Sequence, residues 1–263
     1  MVKFRTMREV NNMKKETIIN EIKESILDIV YPLRCPICDE ILVQKSFLPG
    51  APRIKIHEKC MKKITTINEP MCIKCGHQLL DEGLEYCSDC KKISHIFNQG
   101  KSLFVYKNEM VKSMYSFKYS NKREYAKFYA EYTYKKYNQW LQRIQPDVII
   151  PVPMHSKKIK KRGYNQSEIY ARELSRLTGI PVDNKSLKRV VNTKPLKELT
   201  TQQRKNMLKK SFYSENLFNK YKKILLVDDI YTTGSTMDAI SEELKIKGIE
   251  RVYCLSICTG KGY

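Results

Sequence analysis

The chain has 263 residues, 41% of them hydrophobic and 29% charged, which is enough for one sizeable core and a small additional module. No apolar run approaches the roughly 20 residues of a membrane-spanning helix. The charged amino-terminal segment lacks the apolar stretch of a signal peptide, so we expect a cytoplasmic protein. The formal net charge of +21 predicts attraction to nucleic acid, a nucleotide or an anionic membrane surface, unless it only reflects a solvated, lysine-rich surface.

Residues 1–31 are predicted to form a basic extension followed by a short amphipathic helix. Isoleucines recur at helical spacing between Thr17 and Val30. A helix packed against the next module is the favoured interpretation, and a helix lying on a membrane surface is the alternative.

Residues 32–98 are predicted to form a double zinc ribbon. Seven of the nine cysteines fall between Cys35 and Cys90 without a secretory context, which favours metal thiolates over disulfides. Each pair of ligands separated by two residues forms a tight knuckle, and two knuckles complete a tetrahedral Zn2+ site. The candidate ligands are Cys35, Cys38, His57, Cys60, Cys72, Cys75, Cys87 and Cys90.

These ligands fill two closed sites, which predicts two structural Zn2+ ions and no open position for water. Sequential pairing is the simpler arrangement, while an interleaved one that exchanges the second and third pairs stays open. His77 and His95 are expected outside both sites. Cys254 and Cys258 lie in an apolar strand, where a cysteine behaves as a small buried hydrophobic residue.

Residues 99–263 alternate between apolar strands and amphipathic helices, which predicts an α/β domain with a parallel sheet. The predicted strands are Ser102–Tyr106, Val148–Val152, Ile224–Val227 and Arg251–Cys258. The predicted helices are Glu109–Tyr119, Glu124–Leu141, Gln166–Thr178 and a last helix that carries Met237 and ends at Gly248.

Aromatic residues interleaved with lysines fill the stretch from Tyr106 to Trp140. Aromatic rings with nearby cations suit the stacking of the exposed bases of a single strand. However, Tyr125, Tyr129 and Tyr132 also fit one face of a helix, and we favour packing over base stacking.

The segment ILLVDDIYTTGST, residues 224–236, places two aspartates after a buried strand and before a loop of small, hydroxyl-bearing residues. In open α/β sheets, ligands bind beyond the carboxyl ends of the strands. Gly234 and its neighbours allow backbone N–H groups to surround a phosphate at the start of the next helix. Asp228 and Asp229 suit a vicinal diol, and equally a divalent cation. An ordinary strand-to-helix turn explains one aspartate but not the whole pattern.

This segment resembles the signature of type I phosphoribosyltransferases, except that Tyr231 replaces the usual aliphatic residue. The resemblance implies that Asp228 and Asp229 contact the ribose hydroxyls of phosphoribosyl pyrophosphate, and that Mg2+ bridges the pyrophosphate to the diol. It also implies that the 5-phosphate is held by Thr232, Thr233, Gly234, Ser235 and Thr236.

A basic segment, PVPMHSKKIKKRGYNQ, begins within the predicted strand Val148–Val152 and is predicted to continue as a loop that faces the pyrophosphate. Arg162 offers a bidentate donor, and Gly163 allows a close approach of the backbone. A solvated position is the alternative for each single lysine, and His155 is expected to face solvent rather than act as a base. The candidate binding residues of this segment are Arg162, Gly163, Asn165 and Gln166.

The stretch from Arg162 to Gln166 resembles the RGFNQ-like motif of the ComF (ComFC) proteins, and the likeness extends along most of the chain from Ile26. It includes the segments LDIVYPLRCPIC, FKYSNKREYAK and LKRVVNTKPLKELTTQQRKNM. The last of these resembles a mobile loop that closes over the site, although Leu196 replaces a glutamine usual there. The resemblance implies a double zinc ribbon before a type I phosphoribosyltransferase-like sheet, and an association with competence.

Three functions compete. The favoured one is a protein that binds phosphoribosyl pyrophosphate and handles incoming single-stranded DNA during natural transformation, with the DNA-uptake machinery as a partner. The second is an active phosphoribosyltransferase of nucleotide metabolism, for which neither a base-recognition hood nor a catalytic residue can be identified. The third is a zinc-ribbon adaptor that docks a partner protein.

Overall fold

The computed structural model describes residues 26, 30–44, 55–191, 210–215, 217 and 220–260. The chain forms two compact units, residues 1–61 and residues 62–263. The predicted amino-terminal helix, apart from Ile26 and Val30, lies outside the described residues, and so does the segment around Leu196. None of the described helices is both long and apolar enough to cross a bilayer.

The first unit is organised around a few buried side chains: Cys35, Leu42 and Cys60. An antiparallel bridge joins Arg34 to Ile41, and the short helix α1 (Glu58–Met61) follows. Among the described residues of this unit the apolar cluster is small, which is typical of modules whose folding depends on a bound metal.

The second unit is built on a parallel sheet. Its strands are β1 (Gln99–Val105), β2 (Val148–Pro151), β5 (Lys223–Tyr231) and β6 (Arg251–Thr259). They lie in the order β1-β6-β5-β2, and each neighbouring pair is parallel. A separate antiparallel pair consists of β3 (Leu187–Arg189) and β4 (Phe212–Ser214). This topology confirms the predicted α/β class, whereas the antiparallel pair was not predicted.

Six described helices belong to this unit: α2 (Ser88–Lys92), α3 (Glu109–Tyr119), α4 (Tyr125–Ile144), α5 (Ser156–Arg162), α6 (Gln166–Thr178) and α7 (Ser235–Ile246). Helix α6 packs against α4, β2 and β5, while α7 packs against β4 and β6. Gly179 ends α6 in the left-handed conformation with φ of +74°, as the sequence predicts for a glycine after a helix.

The interior of the second unit is rich in tyrosine. Tyr129 and Tyr170 are fully buried, and Tyr125 is only 2% exposed. The Thr133 hydroxyl donates to the Tyr129 carbonyl at 2.8 Å and accepts from the Tyr170 hydroxyl at 2.6 Å. These contacts confirm packing rather than base stacking as the role of the helix face of α4. The prediction that Cys254 and Cys258 are buried is confirmed as well.

Two predicted boundaries were wrong in a way that affects function. Strand β5 continues to Tyr231 instead of ending at Val227. Pairing with β6 extends to Tyr231, and these backbone hydrogen bonds outweigh the low strand propensity of the two aspartates. The basic segment after β2 is the helix α5 rather than a loop. Lysine and arginine favour helices, and His155 caps this one by accepting from the Lys157 N–H at 3.2 Å.

The buried tyrosine pair gives a test of the packing. We expect Tyr170→Phe to lower the free energy of unfolding by about 1 kcal/mol, because it removes the hydroxyl that donates to Thr133. Denaturant titration followed by circular dichroism measures the change. The matched control is Tyr115→Phe, whose ring is 61% exposed and whose loss of a hydroxyl should change nothing. Equal effects of the two variants would show that the hydrogen bond from Tyr170 to Thr133 does not stabilise the core.

Candidate functional site

A cavity of about 200 Å³ lies where β2 and β5 end. Strand β2 pairs with β5 only as far as Pro151 opposite Val227, and its last backbone bond runs from the Val152 N–H to the Val227 carbonyl at 2.9 Å. Pro153 has no N–H with which to extend the ladder. The lining residues are Lys118, Val152, Pro153, Met154, Lys158, Arg162, Asn165, Gln166, Ser167, Arg189, Asp228, Asp229 and Thr236.

The two aspartates lie in β5 beyond its pairing with β2. The Asp228 carboxylate accepts from the Ser167 hydroxyl at 2.9 Å and from the Asp229 N–H at 2.9 Å. Both donors reach the same oxygen, Oδ1. The second oxygen of Asp228 has no hydrogen-bond donor among the described residues, so it is available to a ligand.

Burial raises the pKa of Asp228 to about 7, and the negative charge of the adjacent Asp229 adds to the shift. Hydrogen bonds from the Asp229 N–H and Ser167, together with the charge of Lys118, oppose it. The carboxyl therefore changes charge near neutral pH. A cation or a hydrogen-bond donor brought into the cavity would favour its ionised form.

Asp229 is more enclosed, with its side chain 8% exposed. Lys118 of α3 forms an ion pair with one carboxylate oxygen at 3.1 Å, and the Gln166 amide donates to the other. Two elements thus hold this side chain, which fixes its orientation at the floor of the cavity.

The loop after β5 turns sharply at Gly234, whose φ is +75°. A Cβ at this position would come within 2.4 Å of the Tyr231 hydroxyl and 2.8 Å of His95 Cε1. Only glycine fits both the backbone conformation and the space. The Thr233 and Ser235 hydroxyls lie 2.8 Å apart, and Thr236 lines the cavity. The predicted residues Thr232, Thr233, Gly234 and Ser235 lie beside the cavity lining rather than within it.

Helix α5 ends at Gly163, which takes the left-handed conformation with φ of +86°. The chain then enters α6, where Asn165 caps the helix by accepting from the Ser167 N–H at 3.1 Å. The Asn165 amide also donates to the Val152 carbonyl at 3.0 Å. Among the predicted residues of this segment, Asn165 and Gln166 therefore position α6 against β2 and β5, and Gly163 lies outside the cavity lining.

Arg162 lies at the end of α5 with its guanidinium carbon 4.6 Å from the centre of the Tyr119 ring. One terminal nitrogen donates to the Gln166 side chain at 2.5 Å. Its Nε is buried and has no hydrogen-bond partner in the described structure. A buried donor of this kind is costly unless a ligand or water accepts from it.

Three further cations line the cavity: Lys118, Lys158 and Arg189. Lys118 and Arg189 were missed by the sequence analysis, whereas Lys158 belongs to the basic segment predicted to face the pyrophosphate but was not selected as a binding residue. Burial lowers the pKa of Lys158, and the charges of Arg189 and Arg162 lower it further. Four positive side chains from three separate elements therefore converge with two carboxylates. Nothing in the sequence distinguishes these cations from the many other lysines, because they belong to α3, α5 and β3, which only the fold brings together.

The predicted metal ligands form two clusters, Cys35-Cys38-His57-Cys60 and Cys72-Cys75-Cys87-Cys90, and within each the ligand atoms lie within 4.8 Å of one another. The pairing is therefore sequential, not interleaved. The Cys38 Sγ–His57 Nδ1 distance is 3.4 Å, and the Cys75 Sγ–Cys87 Sγ distance is 3.6 Å. Tetrahedral Zn2+ bonds of about 2.0–2.3 Å require ligand separations of roughly 3.5–3.8 Å. Both donor sets fit structural Zn2+, and the two remaining histidines of this region lie outside them.

The second cluster shares its apolar surroundings with the sheet. Cys72, Cys75 and Cys87 pack in one core cluster with residues of β5 and α7. Just after the last ligand, His95 Nδ1 lies 2.7 Å from a carboxylate oxygen of Asp238, in the first turn of α7. The Ile96 N–H donates to the other oxygen at 2.7 Å. This cluster is therefore connected to the helix that starts beside the cavity.

Both parts of the chain match known families. The Double zinc ribbon domain family matches residues 26–91, and the Phosphoribosyl transferase domain family matches residues 119–262. These matches agree with the metal clusters and with the parallel sheet.

Three curated relatives are similar over different lengths. Competence protein F of Haemophilus influenzae is 31% identical over 199 residues, which cover 73% of this chain and 85% of that protein. Competence protein ComFC of Bacillus subtilis is 25% identical over 232 residues, covering 83% and 91% respectively. DNA utilization protein YhgH of Salmonella typhi is 34% identical over 113 residues, covering 43% and 49%.

Zinc content tests the ligand sets. We expect Cys75→Ser to lower the zinc content from two ions per chain to one and to lower the melting temperature, because the second cluster packs in the same core as α7. Atomic emission and thermal unfolding measure the two effects. Cys254→Ser, at a cysteine that is equally buried but outside both clusters, should keep two ions. Full zinc content in Cys75→Ser would exclude this thiolate as a ligand.

The shifted pKa of Asp228 gives a prediction about stability. Its value of about 7 lies above the ordinary 3.8, so the native state binds more protons than the unfolded chain between these values. The contribution of this group to stability therefore falls as the pH rises through that window. Asp228→Asn should raise the free energy of unfolding at about pH 8, by on the order of 1 kcal/mol, and much less at about pH 4.

Thermal unfolding of the two proteins without ligand, across that pH range, measures this difference. A variant that is less stable than the wild type at about pH 8, with the same difference at about pH 4, would show that Asp228 is not electrostatically unfavourable in the native state.

Proposed function

Because the chain belongs to the ComF/ComFC family, in which a double zinc ribbon accompanies a phosphoribosyl transferase domain, we propose that it binds phosphoribosyl pyrophosphate with Mg2+ and handles incoming single-stranded DNA during natural transformation. The observation that carries the ligand assignment is the cavity at the end of β5. There two carboxylates face four cations from three separate elements. A phosphorylated sugar with a diol and several phosphates needs this combination of acceptors and donors.

The aspartate pair would bind the ribose. The oxygen of Asp228 that has no donor among the described residues accepts from one hydroxyl, while Asp229 lies next to it for the other. Bound Mg2+ supplies positive charge that balances the pyrophosphate and favours the ionised form of Asp228. The Ser167 and Gln166 side chains keep the two carboxylates in position.

The turn at Gly234 would bind the 5-phosphate. Backbone N–H groups at the start of α7 carry partial positive charge, and the hydroxyls of Thr233 and Ser235 are close enough to share one phosphate. Thr236 extends this set into the cavity. The whole predicted segment Thr232–Thr236 is retained in this role.

The pyrophosphate would lie against the cations of the cavity. The buried Nε of Arg162 gains an acceptor, and the guanidinium is already oriented by Tyr119 and Gln166. Burial lowers the pKa of Lys158 and repulsion from Arg189 and Arg162 adds to the shift; an anion would relieve this repulsion. Arg162 binds in this way without reorganisation, which reduces the free-energy cost of binding.

The DNA part of the proposal is supported by the relatives and by charge. Two of them are competence proteins and a third is a DNA utilization protein. The net charge of +21 favours a polyanionic partner. No aromatic side chain is among the described residues that line the cavity, so this described lining offers no stacking partner for an acceptor base. This observation favours binding of the phosphoribosyl ligand over nucleotide salvage.

Calorimetric titration tests the ligand. We expect micromolar binding of phosphoribosyl pyrophosphate with Mg2+, about −8 kcal/mol. In Asp228→Asn/Asp229→Asn the affinity should fall about 10- to 100-fold, because each carboxylate loses charge-assisted hydrogen bonds. Asp81→Asn, at an exposed turn residue outside the cavity, is the matched control.

The possible outcomes distinguish ligand binding by the aspartate pair from the transferase and adaptor alternatives. Loss of binding in the double variant alone supports the aspartate pair as the ribose site. An unchanged affinity in that variant excludes the pair, and no binding by the zinc-loaded wild type excludes phosphoribosyl pyrophosphate as the ligand. Release of pyrophosphate on addition of a base or nucleophile would favour the transferase alternative. Retention of a partner by the zinc ribbons without DNA would favour the adaptor alternative.

A further inference from the structure

A second cleft, of about 550 Å³, lies along the edge strand β1, whereas the first cavity lies beside β2 at the other edge of the same sheet. No residue lines both cavities. The cleft is lined by Asn68, Glu69, Met71, Gln99, Lys101, Lys136, Tyr137, Gln139, Trp140 and Arg143.

One wall of the cleft is a polar stripe on α4. Lys136, Gln139 and Arg143 follow one another at intervals that place them on a single helix face. Lys136 and Arg143 are seven residues apart, which is about 10 Å along a helix. Two cations at that separation can contact two different phosphates more readily than they can share one phosphate.

The opposite wall contributes a third cation, Lys101 of β1. Burial lowers the pKa of Lys101, and the charge of Arg143 lowers it further. Burial also lowers the pKa of Lys136, with a contribution from Lys101. Glu69 is the one acidic residue of the lining, and its charge partly opposes both shifts. The cleft therefore holds excess positive charge.

None of these three cations forms an ion pair with a carboxylate in the described part of the chain. Lys136 donates to the Ile67 carbonyl, and Lys101 Nζ lies 2.9 Å from the Met71 sulfur. A thioether is a weak acceptor, so the Lys101 ammonium gains little from this contact. An anion in the cleft would supply the missing negative charge.

The floor of the cleft is rigid and aromatic. The Tyr137 hydroxyl donates to the Ser102 carbonyl at 2.6 Å, and the Trp140 ring N–H donates to the Gln99 side chain at 2.7 Å. Both residues are only 5% exposed, so their rings form a fixed apolar base rather than free stacking surfaces. A ligand would meet a preformed site, which lowers the ordering cost of binding.

We propose that this cleft binds the sugar-phosphate backbone of single-stranded DNA, with Lys136 and Arg143 on successive phosphates and Lys101 below them. The proposal rests on the DNA part of the proposed function and assigns it a surface separate from the phosphoribosyl site. The exposed amide of Gln139 lies between the two outer cations, where a nucleotide between two phosphates would be placed. The separation of these cations favours a strand over a free mononucleotide, which carries one phosphate.

The test is the salt dependence of binding to a fluorescently labelled oligothymidylate, followed by anisotropy. For single strands, the logarithm of the affinity falls with the logarithm of the salt concentration by about 0.7 for each phosphate contact. Lys136→Gln/Arg143→Gln should therefore reduce this slope by about 1.4. Lys135→Gln removes an exposed lysine of the same helix outside the cleft and should leave the slope unchanged. Zinc content and affinity for phosphoribosyl pyrophosphate should stay the same in all variants.

Four results separate the possibilities. The expected slope change in the double variant alone supports the cleft. An unchanged slope there, or an equal change per charge in Lys135→Gln, overturns the cleft and leaves DNA binding in place. Failure of the wild type to bind the oligonucleotide overturns the DNA part of the proposed function together with this inference. Displacement of the oligonucleotide by an equal concentration of thymidine monophosphate would show that the site takes a free nucleotide instead.

Discussion

The candidate site depends on the unequal lengths of two neighbouring strands. Strand β2 stops at Pro151 while β5 continues to Tyr231. On one side this continuation of β5 pairs with β6. On the other side, where none of the described strands pairs with it, the amino end of α6 contacts it through the hydrogen bond from Ser167 to Asp228. Asp228 and Asp229 therefore have regular backbone geometry and still face a cavity. A strand holds their carboxylates more rigidly than a loop would, which suits a preorganised binding site.

The second metal cluster belongs to the same cooperative core. Its cysteines pack with β5 and α7, and His95 and Ile96 both bond to Asp238 at the start of α7. The turn at Gly234 lies between these features, in contact with Tyr231 and His95. Metal ligation and the position of the turn are consequently linked by a short, continuous set of contacts. The cluster supports the site mechanically while contributing no group to the cavity lining.

The features that depend on local sequence pattern could be predicted: the metal-ligand sets and the parallel sheet. Ligand spacing was sufficient to group the cysteines, and apolar strands alternating with helices were sufficient to indicate the sheet. The end of β5 was misplaced because polar aspartates look like a strand terminus until the partner β6 is known. Lys118 and Arg189 could not be selected from the sequence, since their place in the cavity is set by tertiary packing. The helix in the basic segment was not predicted because it is capped by His155, whereas Ser, Thr, Asp or Asn normally marks the start of a helix.

The ring of Tyr231 restricts which residue can occupy position 234. It packs edge-on against His77 and Phe97, and its hydroxyl occupies the space where a side chain on residue 234 would begin. The large residue at position 231 therefore enforces glycine at position 234. With a small aliphatic residue at position 231, the clash with the tyrosine is removed, while the close approach of His95 Cε1 and the backbone conformation still favour glycine. The effects of substitutions at the two positions on stability should therefore not be additive.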